Sequence, residues 1–141
     1  MSLVDGLKIF EDLSIVEKSN LSLFCQVKEI KKGETLFHEG DEANAMYILA
    51  DGKIEISKLT EGRRVKLGIV DAEDILGEMA LFGGKSHRMA TAIAQENSFL
   101  VVVLSFSIME LTYSHPQLLE KIKRIIEERA NRNIITEGKN I

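Results

Sequence analysis

At 141 residues the chain has the length of one domain, 1–141, and folding at this length buries about two-thirds of the surface that the unfolded chain exposes. Eighteen lysines and arginines against 22 aspartates and glutamates give a formal charge of −4. With 45% hydrophobic and 28% charged residues the chain is too apolar for disorder, and its acidic balance argues against nucleic acid as a partner. No run of eighteen apolar residues occurs, which excludes a conventional transmembrane helix. The single cysteine, Cys25, excludes an intramolecular disulfide and a zinc-thiolate cluster. The opening residues Met1 to Gly6 carry no basic stretch followed by an apolar core, so no signal peptide is expected and the cytoplasm is the expected compartment.

Residues 7–27 read as a helical lead-in: Leu7, Ile9, Phe10, Leu13, Ile15, Val16, Leu21, Leu23, Phe24 and Val27 recur at helical spacing. Ser19 or Asn20 offers a helix cap there, and Cys25 falls on an apolar helix face as a core residue. From 28 to 104 the pattern changes to short apolar or alternating runs punctuated by Gly33, Gly40, Gly52 and Gly62. The runs are 34–37, 45–49, 53–58, 64–69, 89–94 and 98–104, a spacing that predicts a sandwich or barrel. Asp51-Gly52 predicts a two-residue hairpin between 46–50 and 53–58. Lys28, Lys31 and Lys32 read as a solvated strand edge. Residues 105–138 turn helical again, with Ser114-His115-Pro116 as a helix start and a stripe of Leu118, Leu119, Ile122, Ile125, Ile126 and Arg129. His38, His87 and His115 are too scattered for a metal cluster and read as surface or loop residues.

Chemistry concentrates between residues 76 and 94. Gly77 lets a ligand approach the backbone, and a helical turn after it presents free N–H donors and the positive end of its dipole. Arg88 adds a guanidinium suited to phosphate. Glu78 does not help a phosphate, but its carboxylate accepts from sugar hydroxyls. Phosphate plus ribose describes a nucleotide.

The run Leu76-Gly77-Glu78-Met79-Ala80-Leu81 followed by His87-Arg88-Met89-Ala90-Thr91 resembles the phosphate-binding cassette of the cyclic nucleotide-binding domain family. That cassette reads approximately F-G-E-L-A-L, a variable loop, then P-R-x-A-T. Lys32-Gly33-Glu34, His38-Glu39-Gly40-Asp41, Tyr47-Ile48-Leu49 and Gly52-Lys53-Ile54 extend the likeness over nearly the whole chain. Leu76, His87 and Met89 depart from the family's frequent Phe, Pro and Ser or Thr.

The resemblance implies a mainly β fold with flanking helices. It would be an eight-stranded antiparallel jelly-roll-like barrel (a double-stranded β-helix) with N-terminal helices and a long C-terminal helix. It also implies a non-catalytic sensor. Glu78 would hold the ribose 2′-hydroxyl, Arg88 the cyclic phosphate, and the backbone at Met79 and Ala80 the phosphate oxygens, with Gly77, Met89 and Ala90 completing the site. Met89 lacks a hydroxyl for the guanine amino group, so cAMP is expected over cGMP. Met89, Val65 and Leu67 would form an apolar slot for the base, with Asn131 or Asn133 of the last helix adding a polar contact. The stripe Leu119, Ile122, Ile126 is expected to pair with a twin helix in a homodimer, with the output in a separate partner and no nucleic acid or membrane bound by this chain. The alternatives are a non-binding scaffold of the same fold and a small cupin-type metalloenzyme.

Overall fold

The computed structural model describes residues 4–78 and 87–137, with side chains through Glu128. A 3-10 turn, Lys8–Phe10, precedes helix α1, Ile15–Ser22. The cap of α1 is Ser14 rather than Ser19 or Asn20: its hydroxyl accepts from Glu17 N, and Glu17 accepts in return from Ser14 N. This reciprocal pairing needs Ser and Glu three residues apart, which Ser19 and Asn20 do not offer. The helix ends earlier than the apolar spacing predicts, because Cys25–Ile30 is strand β1. Cys25 is buried, but on a strand, where burial pushes its thiol up to about 12.

Seven further strands follow: β2 Thr35–Phe37, β3 Ala45–Asp51, β4 Ile54–Thr60, β5 Arg63–Val70, β6 Ile75–Leu76, β7 Thr91–Ala94 and β8 Ser98–Leu104. The β7 run therefore begins at Thr91, later than Met89. These strands form two antiparallel four-stranded sheets, ordered β1-β8-β3-β6 and β2-β7-β4-β5, rather than one closed ring of hydrogen bonds. Lys28 lies exposed on β1, an edge strand, and Lys31 beyond it pairs with Glu29 at 2.6 Å.

Asp51-Gly52 does not close a hairpin. β3 belongs to the first sheet and β4 to the second, so the chain crosses between layers there. The hairpin of this region is β4–β5, in which Thr60 pairs with Arg63 across Glu61-Gly62.

Helices α2, Ser105–Ser114, and α3, Pro116–Glu137, complete the chain. His115 is their joint: its N–H donates to Leu111 O and its carbonyl accepts from Leu119 N. Its Nδ1 is buried, so His115 is not a simple surface residue. Pro116 stands at the first helical position, where its missing N–H costs nothing.

The layers are helices, first sheet, second sheet, and the core has two parts accordingly. Met46, Ile48, Val101 and Val103 face the helices, whereas Leu49 and Leu100 of the same strands meet Ile54, Ile56 and Ala92 of the second sheet. Strands β3 and β8 are apolar on both faces for this reason. On the helix side, Leu118, Ile122 and Ile126 pack with Val4, Leu7, Phe10 and Leu21. The stripe expected to meet a twin helix thus covers the chain's own first sheet; Ile122 and Ile126 are 1% exposed. Lys121 adds an ion pair to Glu17 of α1 at 3.1 Å.

Candidate functional site

The site is built around Arg88. Two backbone bonds fix its position: Gly40 N donates to Arg88 O at 2.9 Å, and Arg88 N to Asp41 O at 2.8 Å. These anchor the backbone at Arg88 against the 38–41 turn, which Asp41 closes by accepting from His38 N. The side chain then runs inward and is 6% exposed.

Its guanidinium has an unusual set of neighbours. Nη2 donates to Ala45 O at 2.8 Å, while Nε and Nη1 are buried and meet no acceptor. Cζ lies 4.3 Å from the centroid of the Phe37 ring and 5.5 Å from that of Tyr47. Burial lowers the pKa of the group from its ordinary value, with the Tyr47 hydroxyl and Asp41 opposing that shift. No carboxylate forms an ion pair with it among the described residues. Sequence reasoning did not single out Phe37, Tyr47 or Ala45 for the site.

Pairing of β6 with β3, Tyr47 opposite Leu76, brings Gly77 alongside Ala45 and Arg88. Gly77 has φ +76°, and a Cβ there would fall 2.5 Å from Arg88 Nη1 and 3.3 Å from Ala45 O. The glycine therefore serves two needs, the left-handed backbone and the space that the guanidinium occupies.

Glu78 follows directly and is partly buried. Burial pushes its carboxyl up to about 7, with a backbone hydrogen bond working against the shift. A carboxyl raised in the folded state binds a proton between pH 4.5 and about 7 that the unfolded chain has already lost. The protein should therefore lose stability as pH rises through this window, by up to about 3 kcal/mol, and be level above it. Denaturant melts of wild type and Glu78→Gln across pH 4–8 check this: the difference between the two should change within that window. Parallel profiles would mean that Glu78 titrates normally.

Of the other expected site residues, Ala90 is buried at 1% exposure and Met89 is half-exposed, as are Val65 and Leu67. Met79 and Ala80, and the side chains of Asn131 and Asn133, lie outside the described residues. His38 sits near Asp41, and His87 forms an isolated bridge with Glu42. Among the described residues no three His, Cys, Asp or Glu side chains come together as a metal site, and no helix is long and apolar enough to cross a membrane.

Known proteins resemble this chain in sequence and in fold. Residues 27–112 match the family described as the cyclic nucleotide-binding domain. The chain is 31% identical over 94% of its length to a Rhodopseudomonas palustris protein named as a potassium channel, and covers 32% of that protein. It is 33% identical over 67% of its length to the cGMP-dependent protein kinase of Plasmodium berghei, covering 10% of it. Among solved structures it resembles the regulatory domain of Toxoplasma gondii PKA with cAMP. That likeness has a TM-score of 0.63 and 26% identity, over 72% of this chain and 39% of that one. The chain thus spans a third or less of the curated relatives it matches first. With its two antiparallel sheets and the family match over residues 27–112, the chain belongs to the cyclic nucleotide-binding domain family.

Proposed function

We propose that residues 1–141 act as one sensor module that binds a cyclic purine nucleotide, cAMP in preference to cGMP, and passes the signal on through its C-terminal helix. The observation that carries the reading is the buried, unpaired edge of Arg88 beside Gly77 and Glu78. A guanidinium stripped of water and left with two unmade hydrogen bonds costs stability unless an anion completes it. A non-binding scaffold would carry that cost with no return. A cyclic phosphate supplies the charge and the acceptors, while the ribose 2′-hydroxyl supplies a donor for Glu78. In this reading Met79 and Ala80 donate backbone N–H groups to the phosphate, and Met89 and Ala90 close the site.

The preference for cAMP rests on Met89. A thioether is a poor acceptor and offers no hydroxyl, so a buried guanine amino group beside it would stay unpaired at a cost of about 1–3 kcal/mol. The relatives' names do not separate the two ligands, since one refers to cGMP and one to cAMP. Competition titration should therefore show cAMP binding at least tenfold more tightly than cGMP. Equal affinity would defeat the Met89 argument, and no binding of either would defeat the reading itself.

Signal output belongs to the same proposal. If α3 joins two copies, it does so with its outer face, where Gln117, Glu120, Arg124, Glu127 and Glu128 are exposed, because the inner face is already covered. Such a contact would be polar and salt-sensitive. The partner that reads the signal would be a separate chain or a further part of a longer one.

A further inference from the structure

We infer that Phe37 and Tyr47 are positioning residues for Arg88, holding its guanidinium so that Nε and Nη1 stay unpaired for the ligand's phosphate. The inference rests on the proposed nucleotide site and adds to it the means by which the cation is kept ready.

An arginine that must meet an anion has to be fixed before the anion arrives, since an unconstrained side chain loses rotamer freedom on binding. The usual way to fix it is a carboxylate, but a carboxylate would occupy the edge N–H groups and cancel the charge that the phosphate needs. This fold uses rings instead. Phe37 on β2 and Tyr47 on β3 stack on each other with centroids 6.0 Å apart and planes inclined by 28°. Arg88 Cζ lies over both, nearer to Phe37. A ring face attracts a cation through its quadrupole, most strongly when water is excluded, and uses no N–H donor to do so. One backbone carbonyl, Ala45 O, takes Nη2 and sets the rotation. Nε and Nη1 remain buried, charged and unpaired, which an acid in place of the rings would not allow. Gly77 keeps the space beside Nη1 open.

Two readouts test the inference, one of them without ligand. In the free protein the Arg88 Nε–H resonance should be shifted by the ring current of Phe37 and protected from exchange. Phe37→Leu should return it towards the position of an exposed arginine. An unchanged resonance in that variant would overturn the inference whether or not a nucleotide binds. In calorimetry with cAMP, Phe37→Leu should weaken binding about five- to tenfold, and Tyr47→Leu, at the more distant ring, about two- to threefold. In an Arg88→Met background the same Phe37 change should have little further effect, because its action runs through the guanidinium. An equal loss in both backgrounds would make Phe37 a packing residue only and overturn the inference. Failure of the wild-type protein to bind any cyclic nucleotide would instead overturn the nucleotide reading, with the resonance still deciding the role of the rings. Tyr47 is less buried than Phe37, so its variant remains informative if Phe37→Leu does not fold.

Discussion

Replacing Arg88 by methionine should lower cyclic-nucleotide affinity at least tenfold and leave the free protein as stable as before, or more stable. The two effects separate because the side chain contributes to different balances in the two states. Bound as proposed, it would supply a charge-assisted contact to a phosphate, worth roughly 1.5–3 kcal/mol or more. Free, it carries a positive charge at 6% exposure with two unpaired donors, a burden only partly offset by the rings and by Ala45 O. Methionine fills much of the same volume without the charge, and replacing a buried ionic group by an apolar one of similar size is often neutral or stabilising. The bonds of Arg88 to Gly40 and Asp41 are backbone bonds and survive the substitution. Calorimetry and thermal melts on the same preparations check both halves. Retained affinity would remove Arg88 from the site, and a large fall in melting temperature would mean that the guanidinium supports the fold.

The largest loss of stability should come from a residue outside the site. Gly52→Ala places a Cβ 2.1 Å from Ser98 Oγ and 2.8 Å from Ser98 Cα, at a backbone φ of +112°. The contact reaches the backbone of a strand residue as well as its short side chain. Ser98 opens β8, is fully buried, and pairs with Ile30 of β1. The left-handed backbone costs about 1–2 kcal/mol for a residue with a Cβ, and forced overpacking about 1–3 kcal/mol more. Together these predict a fall of roughly 10 °C in melting temperature for a domain of this size. A melt within 2 °C of wild type would show that the crossover relaxes freely. Gly40→Ala makes a control, since its φ is also positive but no atom lies within 4 Å of the added Cβ.

What the sequence disclosed followed from how local each signal was. Gly77, Glu78 and Arg88 sit in one short stretch, so their chemistry could be read together before any fold was known. Strands β3 and β8 were legible as apolar runs because they lie between two layers and bury both faces. Strand β1 was not. Its sequence CQVKEI buries only its two ends, so it shows no alternation, and the helical spacing before it ran on through Cys25 to Val27. Asp51-Gly52 carried a real turn signal, but which sheet each flanking strand joins is decided by pairing with β7 and β8, which lie far along the chain. The rings on Arg88 were hidden for a similar reason. Phe37 and Tyr47 stand 51 and 41 residues before it and look like ordinary core positions until β2 and β3 bring them to Arg88.

The helix-side core joins residues from both ends of the described chain. Val4, Leu7 and Phe10 share one buried cluster with Leu118, Ile122 and Ile126 of α3, and Glu17 is tied to Lys121. Lifting α3 would therefore uncover the first turn and α1 as well as the helix's own stripe. The physical consequence is a single opening unit made of two segments that are about a hundred residues apart in sequence, with nearest-neighbour packing making neither segment stable without the other. Native-state hydrogen exchange would see this as amides of α1 and of the first turns of α3 sharing one opening free energy, distinct from that of the inner strands β3 and β8.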